Sequence, residues 1–370
     1  MSAREGLTRF FASRGGIVLA GGLIGLAAAL LQKLGNPANM GVCVACFTRD
    51  IAGALGLHRA APVQYLRPEI PGFVLGALLA ALLFREFRPR GGSAPVVRFV
   101  LGVFAMIGAL AFLGCPWRAL LRLAGGDLTA LIGLAGLAAG IAGGVALLRS
   151  GYSLGRSQPT RAAAGLVLPG LALLVLFFAL LKPGFILASA AGPGSLHAAL
   201  GISLVAGLVV GLLAQRTRFC TMGAIRDLLM ARDAHLLSGV AALVAVAFAV
   251  NLALGRVNVG FAAMPIAHSQ VLWNFLGMAL AGLAFAMAGG CPGRQLFLCG
   301  EGDGDAGVFV LGMLGGAAAA HNFGLAASPD RIDEAGALVV GGVGANGQAA
   351  VVFGLLACVA IGFAMRERWK

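Results

Sequence analysis

Charged residues are few in this 370-residue chain, 11% in all, and acids are rarer than bases: 14 Asp and Glu against 27 Lys and Arg. An ordinary soluble domain carries about 25% charged residues, so a water-facing globular protein is excluded. The five histidines are scattered without metal-ligand spacing, which argues against a histidine-built metal site. Only His321, followed by Asn322 at the end of an apolar run, stands apart. No G-x-x-x-x-G-K-[ST] loop is present, so the chain does not hydrolyse ATP at a Walker site. A nucleophile elbow and paired carboxylates are also missing, and no enzyme class is indicated. The bases lie between apolar stretches rather than on one polar face, which argues against nucleic acid as a partner. No small-residue cleavage site closes the first apolar run, so the basic opening MSAREGLTRFFASRGG leads into a retained first span.

What the chain has instead is apolar length. Hydrophobic residues make up 59% of it, and 58 positions are glycine. Apolar windows of about 18 to 22 residues recur, enough to cross ~30 Å of hydrocarbon. Ten spans are expected: Gly15–Leu34, Ile70–Phe87, Pro95–Gly114, Leu128–Leu148, Ala163–Leu181, Leu196–Gln215, Leu236–Gly255, Val271–Gly290, Gly307–Leu325 and Gln348–Met365. A further short re-entrant piece is expected at Gly336–Gly344. The fold class is an all-α polytopic membrane protein, and its first partner is the lipid bilayer. With the N-terminus inside, Lys and Arg favour the inner segments about two to one. That count includes Arg366, Arg368 and Lys370 at the end of the chain. Both termini are therefore expected in the cytoplasm. The net charge of +13 fits this bias and contact with anionic headgroups, unless particular arginines also attract an anionic substrate.

Four apolar runs are broken by cysteine. Cys43 is followed six residues on by Arg49-Asp50, and Cys220 six residues on by Arg226-Asp227. Gly114-Cys115-Pro116 has Arg118 three after its cysteine and Asp127 twelve after; Gly290-Cys291-Pro292 has Arg294 and Asp303 at the same offsets. Such regular offsets mark an internal repeat. The chain divides into halves, 1–185 and 186–370, with five spans each. Five is odd, so the second half is inverted, the plan of many secondary transporters with a site near the midplane. Backbone broken at membrane depth survives only inside protein or along a wet cavity. The breaks are read as re-entrant short helices entering from opposite sides and meeting in an hourglass.

The seven cysteines, mostly within or beside apolar runs, form neither a secreted disulfide framework nor zinc-ligand clusters. A thiol in a low dielectric keeps its proton. Neutral thiols at Cys43, Cys115, Cys220 and Cys291 offer a soft, weakly polar lining. Nearby Arg49, Arg118, Arg226 and Arg294 would raise local anion concentration, and helix N-termini after Cys220 and Cys291 would face an anion. Together these suit a small oxyanion carrying a soft chalcogen. Packing is the simpler reading of Cys358 and of Cys299, whose part in a path stays open. The pairs Arg49-Asp50 and Arg226-Asp227 also read as staples for the breaks, although ionisable residues at membrane depth are functional candidates by default. Cys43 and Cys46 form a C-x-x-C that suggests thiol exchange, but Gly223 stands where a second Cys46 would be. Glu301, Asp303 and Asp305 lack the oxygen-ligand pattern of a cation loop.

The stretches RTRFCTMGAIRD (Arg216–Asp227) and GGCPGRQLFLCGEG (Gly289–Gly302) resemble the YeeE/YedE sulfur-transport family. GNPANMGVCVACFTRDIAGALGLHRA (Gly35–Ala60), FREFRPRGGSAP (Phe84–Pro95), FLGCPWRALLRLAGGD (Phe112–Asp127) and GEGDGDAGVFVLGM (Gly300–Met313) resemble its YedE branch, assigned to selenium transport. The resemblance covers nearly the whole chain. It implies a bacterial inner-membrane permease of hourglass shape, in which Cys43, Cys115 and Cys291 relay the ion and Cys220 holds the matching position. Cys46 and the C-P-W and C-P-G segments depart from the relatives' looser G-C-x-x-G.

The expectation is thus a non-enzymatic permease for a small sulfur- or selenium-containing anion, without cofactor or metal. Cys46, Arg49, Asp50, Arg118, Arg226, Asp227, Arg294 and Glu301 are the supporting residues. Two other readings remain open: a membrane thiol oxidoreductase or sulfur/selenium relay using Cys43 and Cys46, and a membrane subunit that docks a cytoplasmic sulfur or selenium carrier protein.

Overall fold

The computed structural model describes residues 3–367; Arg368 and Lys370 lie outside the described residues. A short helix α1 (Ala3–Ala12) precedes α2 (Arg14–Lys33), which begins at an N-cap where Ser13 accepts from the Gly16 amide. Gly35, with φ +127°, and Pro37 end that helix, and a turn-rich stretch leads to α3 (Val44–Ala54). Then come α4 (Glu69–Leu83), strand β1 (Arg90–Gly91), α5 (Pro95–Ala111), α6 (Pro116–Ala124) and α7 (Thr129–Arg149). Strand β2 (Gln158–Pro159), which pairs with β1, one turn α8 (Ala162–Gly165) and α9 (Val167–Leu181) follow.

The rest of the chain is α10 (Leu200–Thr217), α11 (Thr221–Ala231), α12 (His235–Ala253), α13 (Val271–Ala288), α14 (Pro292–Gly300), α15 (Gly304–Asn322) and α16 (Ala345–Ala364). Among the described residues, seven helical stretches are long and apolar enough to cross a membrane: 14–33, 95–124, 129–149, 200–231, 235–253, 271–300 and 345–364. Two shorter apolar helices, α4 and α9, and the 19-residue α15 occupy the other three expected spans. The protein is an all-α polytopic membrane protein.

One expectation fails. Residues 336–344 do not re-enter the bundle. Strands β3 (Arg331–Ile332) and β4 (Leu338–Val339) pair there as a small surface hairpin. Glycine-rich apolar sequence signals a turn as readily as a membrane break, and nothing in 336–344 supplies a helix long enough to bury it.

Helices pack across the two halves of the chain. The closest partners are α4 with α10, α2 with α12, α7 with α13, and α5 with α15. Glycine makes each approach possible. A Cβ on Gly21 would lie 1.9 Å from the Gly239 carbonyl oxygen, on Gly76 2.1 Å from that of Leu208, on Gly140 2.0 Å from that of Ala279, and on Gly312 2.2 Å from that of Phe99. Lipid tails are as apolar as leucine, so such backbone-to-backbone contact drives helix association more than apolar burial does. The last helices of the two halves differ: α9 packs on α4, whereas α16 packs on α13 and α5.

Candidate functional site

Each of the four broken spans ends in a cysteine that is the N-cap of a short helix. Cys43 caps α3, Cys115 α6, Cys220 α11 and Cys291 α14. Cys43 Sγ accepts from the Cys46 amide and Cys220 Sγ from the Gly223 amide, both at 3.3 Å. These are equivalent positions, so the backbone role of residue 46 does not depend on its sulfur. Cys115 and Cys291 are each followed by proline at the first helical position, where the missing N–H costs nothing. The positive ends of all four helices thus lie at cysteines.

The G-C-P-x-R spacing also has a packing reason. A Cβ on Gly114 would lie 2.7 Å from Arg118 Cδ, and one on Gly290 would lie 3.0 Å from Arg294 Cγ. In both segments the glycine before the cysteine leaves room for the arginine to fold back over the break.

The sulfurs fall into two pairs. Cys43 and Cys115 are 3.7 Å apart, Cys220 and Cys291 3.5 Å. All four residues are buried, Cys220 the least so at 5% exposed. Aromatic rings join the pairs. Trp117, two residues after Cys115, meets the ring of Phe219, just before Cys220, edge-on at 5.6 Å. Phe297 and Phe73 complete the cluster at 6.0 and 6.2 Å from the indole.

The arginines are disposed unequally about these pairs. Beside the second pair, a cavity of about 410 Å³ is lined by Cys220, Arg218, Arg226, Asp227 and Arg294 among others. A neighbouring cavity of about 240 Å³ shares Arg218 and Arg294 and adds Glu86, Arg88, Arg90 and Glu301. Glu301 accepts from Arg218 at 2.7 Å and Arg294 at 3.3 Å, with Arg90 at 3.7 Å. Four arginines against the two carboxylates Glu86 and Glu301 leave this lining positive. Glu86, in the loop after α4, takes Arg216 and Arg218 at 2.9 and 3.0 Å. Burial alone would raise its carboxyl. Hydrogen bonds from Gln215 and Arg216 and the charges of Arg216 and Arg218 outweigh that and hold it below the usual carboxylate range.

Beside the first pair the arginines are sealed in. Arg118 is fully buried and donates to the carbonyls of Leu113 and, at 2.8 Å, Ile266; Cys46 Sγ lies 3.9 Å from it. Arg49 pairs with Asp50 at 2.7 Å, and Arg67 pairs with the same carboxylate at 2.8 Å. Arg67 also donates to the Leu196 and Pro193 carbonyls. Arg226 and Asp227, the repeat counterparts, pair at 2.8 Å but stay about a third exposed.

Several groups turn out to be structural. Asp303 caps α15 by accepting from the Ala306 amide and pairs with Arg90 at 2.7 Å. Asp305 ties the loop after α4 to α15 through the Gly92 and Ser93 amides. The His321 ring lies tilted by 38° against that of His58, their centroids 4.5 Å apart, and its buried Nε2 meets no partner among the described residues. No cluster of three or more metal-binding side chains occurs among the described residues.

Sequence reading overlooked Arg67, Arg218 and the aromatic cluster. Arg218 sat in plain sight two residues before Cys220. Arg67 gives no local signal, because its partner Asp50 lies 17 residues away.

A family model described as sulphur transport matches residues 216–370. The matched segment holds Arg218, Cys220, Arg226, Cys291, Arg294 and Glu301. No curated protein matches the chain.

Proposed function

We propose that this protein is a permease for a small anion bearing a soft chalcogen, with thiosulfate and selenium oxyanions as the candidate cargo. The observation that carries the reading is the pair of Sγ contacts, 3.7 and 3.5 Å, each made by two helix-capping cysteines. Neutral S–H groups and helix N-termini favour an anion without fixing it as a countercharge would. The match to a sulphur-transport family over residues 216–370 supports the same class of cargo. So does the arginine lining beside Cys220, since clefts of one sign concentrate the opposite ion.

The two halves, 1–185 and 186–370, are proposed as inverted repeats. The α4–α10 contact has its counterpart in α2–α12, and α7–α13 in α5–α15, when the halves are exchanged. In this scheme Cys43 and Cys115 face the outside and Cys220 and Cys291 the cytoplasm of an inner membrane. The cargo passes from one thiol pair to the other and leaves through the Arg218–Arg294 cavity. In the same scheme Arg118, bonded to the Ile266 carbonyl, would close the outer side.

The test is uptake by the purified protein in liposomes, comparing labelled thiosulfate, selenite and sulfate. Saturable uptake of one of the first two, with sulfate excluded, is the expected result. No uptake of any of them would sink the permease reading and leave a docking subunit for a sulfur carrier as its replacement.

A further inference from the structure

One polar atom in the aromatic cluster has no partner. Trp117 is 1% exposed, and its indole Nε1–H meets no hydrogen-bond acceptor among the described residues. A buried indole N–H ordinarily finds an acceptor, and an unmet donor away from water is destabilising. The surrounding rings of Phe73, Phe219 and Phe297 carry no polar atom that could serve.

The indole's position is specific. By chain it belongs to the first thiol pair, two residues after Cys115. By contact it belongs to the second. It meets Phe219, the neighbour of Cys220, and a Cβ on Gly293, two residues after Cys291, would lie 3.2 Å from its Cζ2 and 3.4 Å from its Cε2. Cε2 is bonded to Nε1, so the N–H edge lies against the first turn of α14. Gly293 keeps that edge uncrowded.

On the permease reading, an oxyanion moving from the Cys115 end to the Cys220 end would meet this ring, which contacts both segments. Thiols are weak donors, and they offer the anion's oxygens little to replace lost water. The unpartnered N–H supplies a stronger donor at that point.

Resting on the permease reading, we propose that Trp117 is the selectivity element of the passage. Its ring closes the interval between the thiol pairs, and its Nε1–H donates to an oxygen of the anion in transit. The cargo it selects carries an oxygen acceptor for the indole and a soft chalcogen for the thiols.

The test uses the full chain in liposomes, with labelled thiosulfate and sulfate as probes. Trp117→Phe keeps the ring and removes the donor; thiosulfate uptake at low concentration is expected to fall about tenfold or more, with sulfate still excluded. Trp117→Ala removes the seal and is expected to admit sulfate. A ring with a purely structural role would be rescued by phenylalanine, so wild-type thiosulfate uptake by Trp117→Phe overturns the donor. A Trp117→Ala protein as tight to sulfate as the wild type overturns the seal. If that variant does not insert, Trp117 fluorescence in a Trp273→Phe, Trp369→Phe background replaces it. Its emission is expected to shift when thiosulfate is added, and an unchanged spectrum at concentrations that support uptake overturns the proposal. A wild-type protein that takes up neither thiosulfate nor selenite fails at the earlier step, the permease reading itself.

Discussion

Arg118 and Arg294 hold the same place in two G-C-P-x-R segments, yet the first is buried against backbone carbonyls and the second lines a positive cavity. Arg118 donates to Ile266 O at 2.8 Å, while Arg294 reaches Glu301 at 3.3 Å.

Cys291→Ala is expected to abolish uptake while leaving the protein inserted. The side chain is fully buried at the N-terminus of α14, so the loss of one sulfur leaves only a small cavity, costing about 1 kcal/mol. Uptake at equal membrane abundance is the measurement, and wild-type rates would count heavily against a thiol path.

Mild oxidation is expected to join Cys43 to Cys115 and Cys220 to Cys291. Each bridge forms by removing two electrons and two protons from sulfurs already 3.7 or 3.5 Å apart. Uptake should stop and return on reduction. Peptide mapping under non-reducing conditions identifies the pairs, and cross-links that join the two halves instead would contradict the arrangement.

Cys46→Ser is expected to leave uptake within about twofold of wild type, since Gly223 fills the same backbone role in the second half. A persulfide or mixed disulfide trapped on Cys46, with uptake lost in the variant, would favour thiol-exchange chemistry instead.

Asp50→Ala strands Arg49 and Arg67, both nearly inaccessible to solvent. Removing one member of a buried ion cluster costs about 3–5 kcal/mol. The variant should lose thermal stability in detergent by far more than Asp227→Ala, whose partner Arg226 is about a third exposed.

Glu301→Gln removes the carboxylate shared by Arg218, Arg294 and Arg90. The cavity becomes more positive, so KM for efflux or exchange from that side should fall at low ionic strength and the difference should fade with salt. Salt titration of transport in inside-out vesicles measures it.

The chain order alone carries the spans, the four cysteine breaks and their repeat, because these depend on apolar length and on spacing along the chain. It also carries the glycine before each C-P, whose purpose is contact with an arginine only four residues on. The pairing of Cys43 with Cys115, the sharing of Asp50 by Arg67, and the seating of Trp117 against Gly293 were decided elsewhere. They bring together residues 17 to 176 positions apart, which only tertiary packing can do: the first two pairs within residues 1–185, the third across the two halves. The hairpin at 331–339 makes the converse point. Local composition there allowed a membrane break or a surface turn, and the pairing of Arg331–Ile332 with Leu338–Val339 made it a turn.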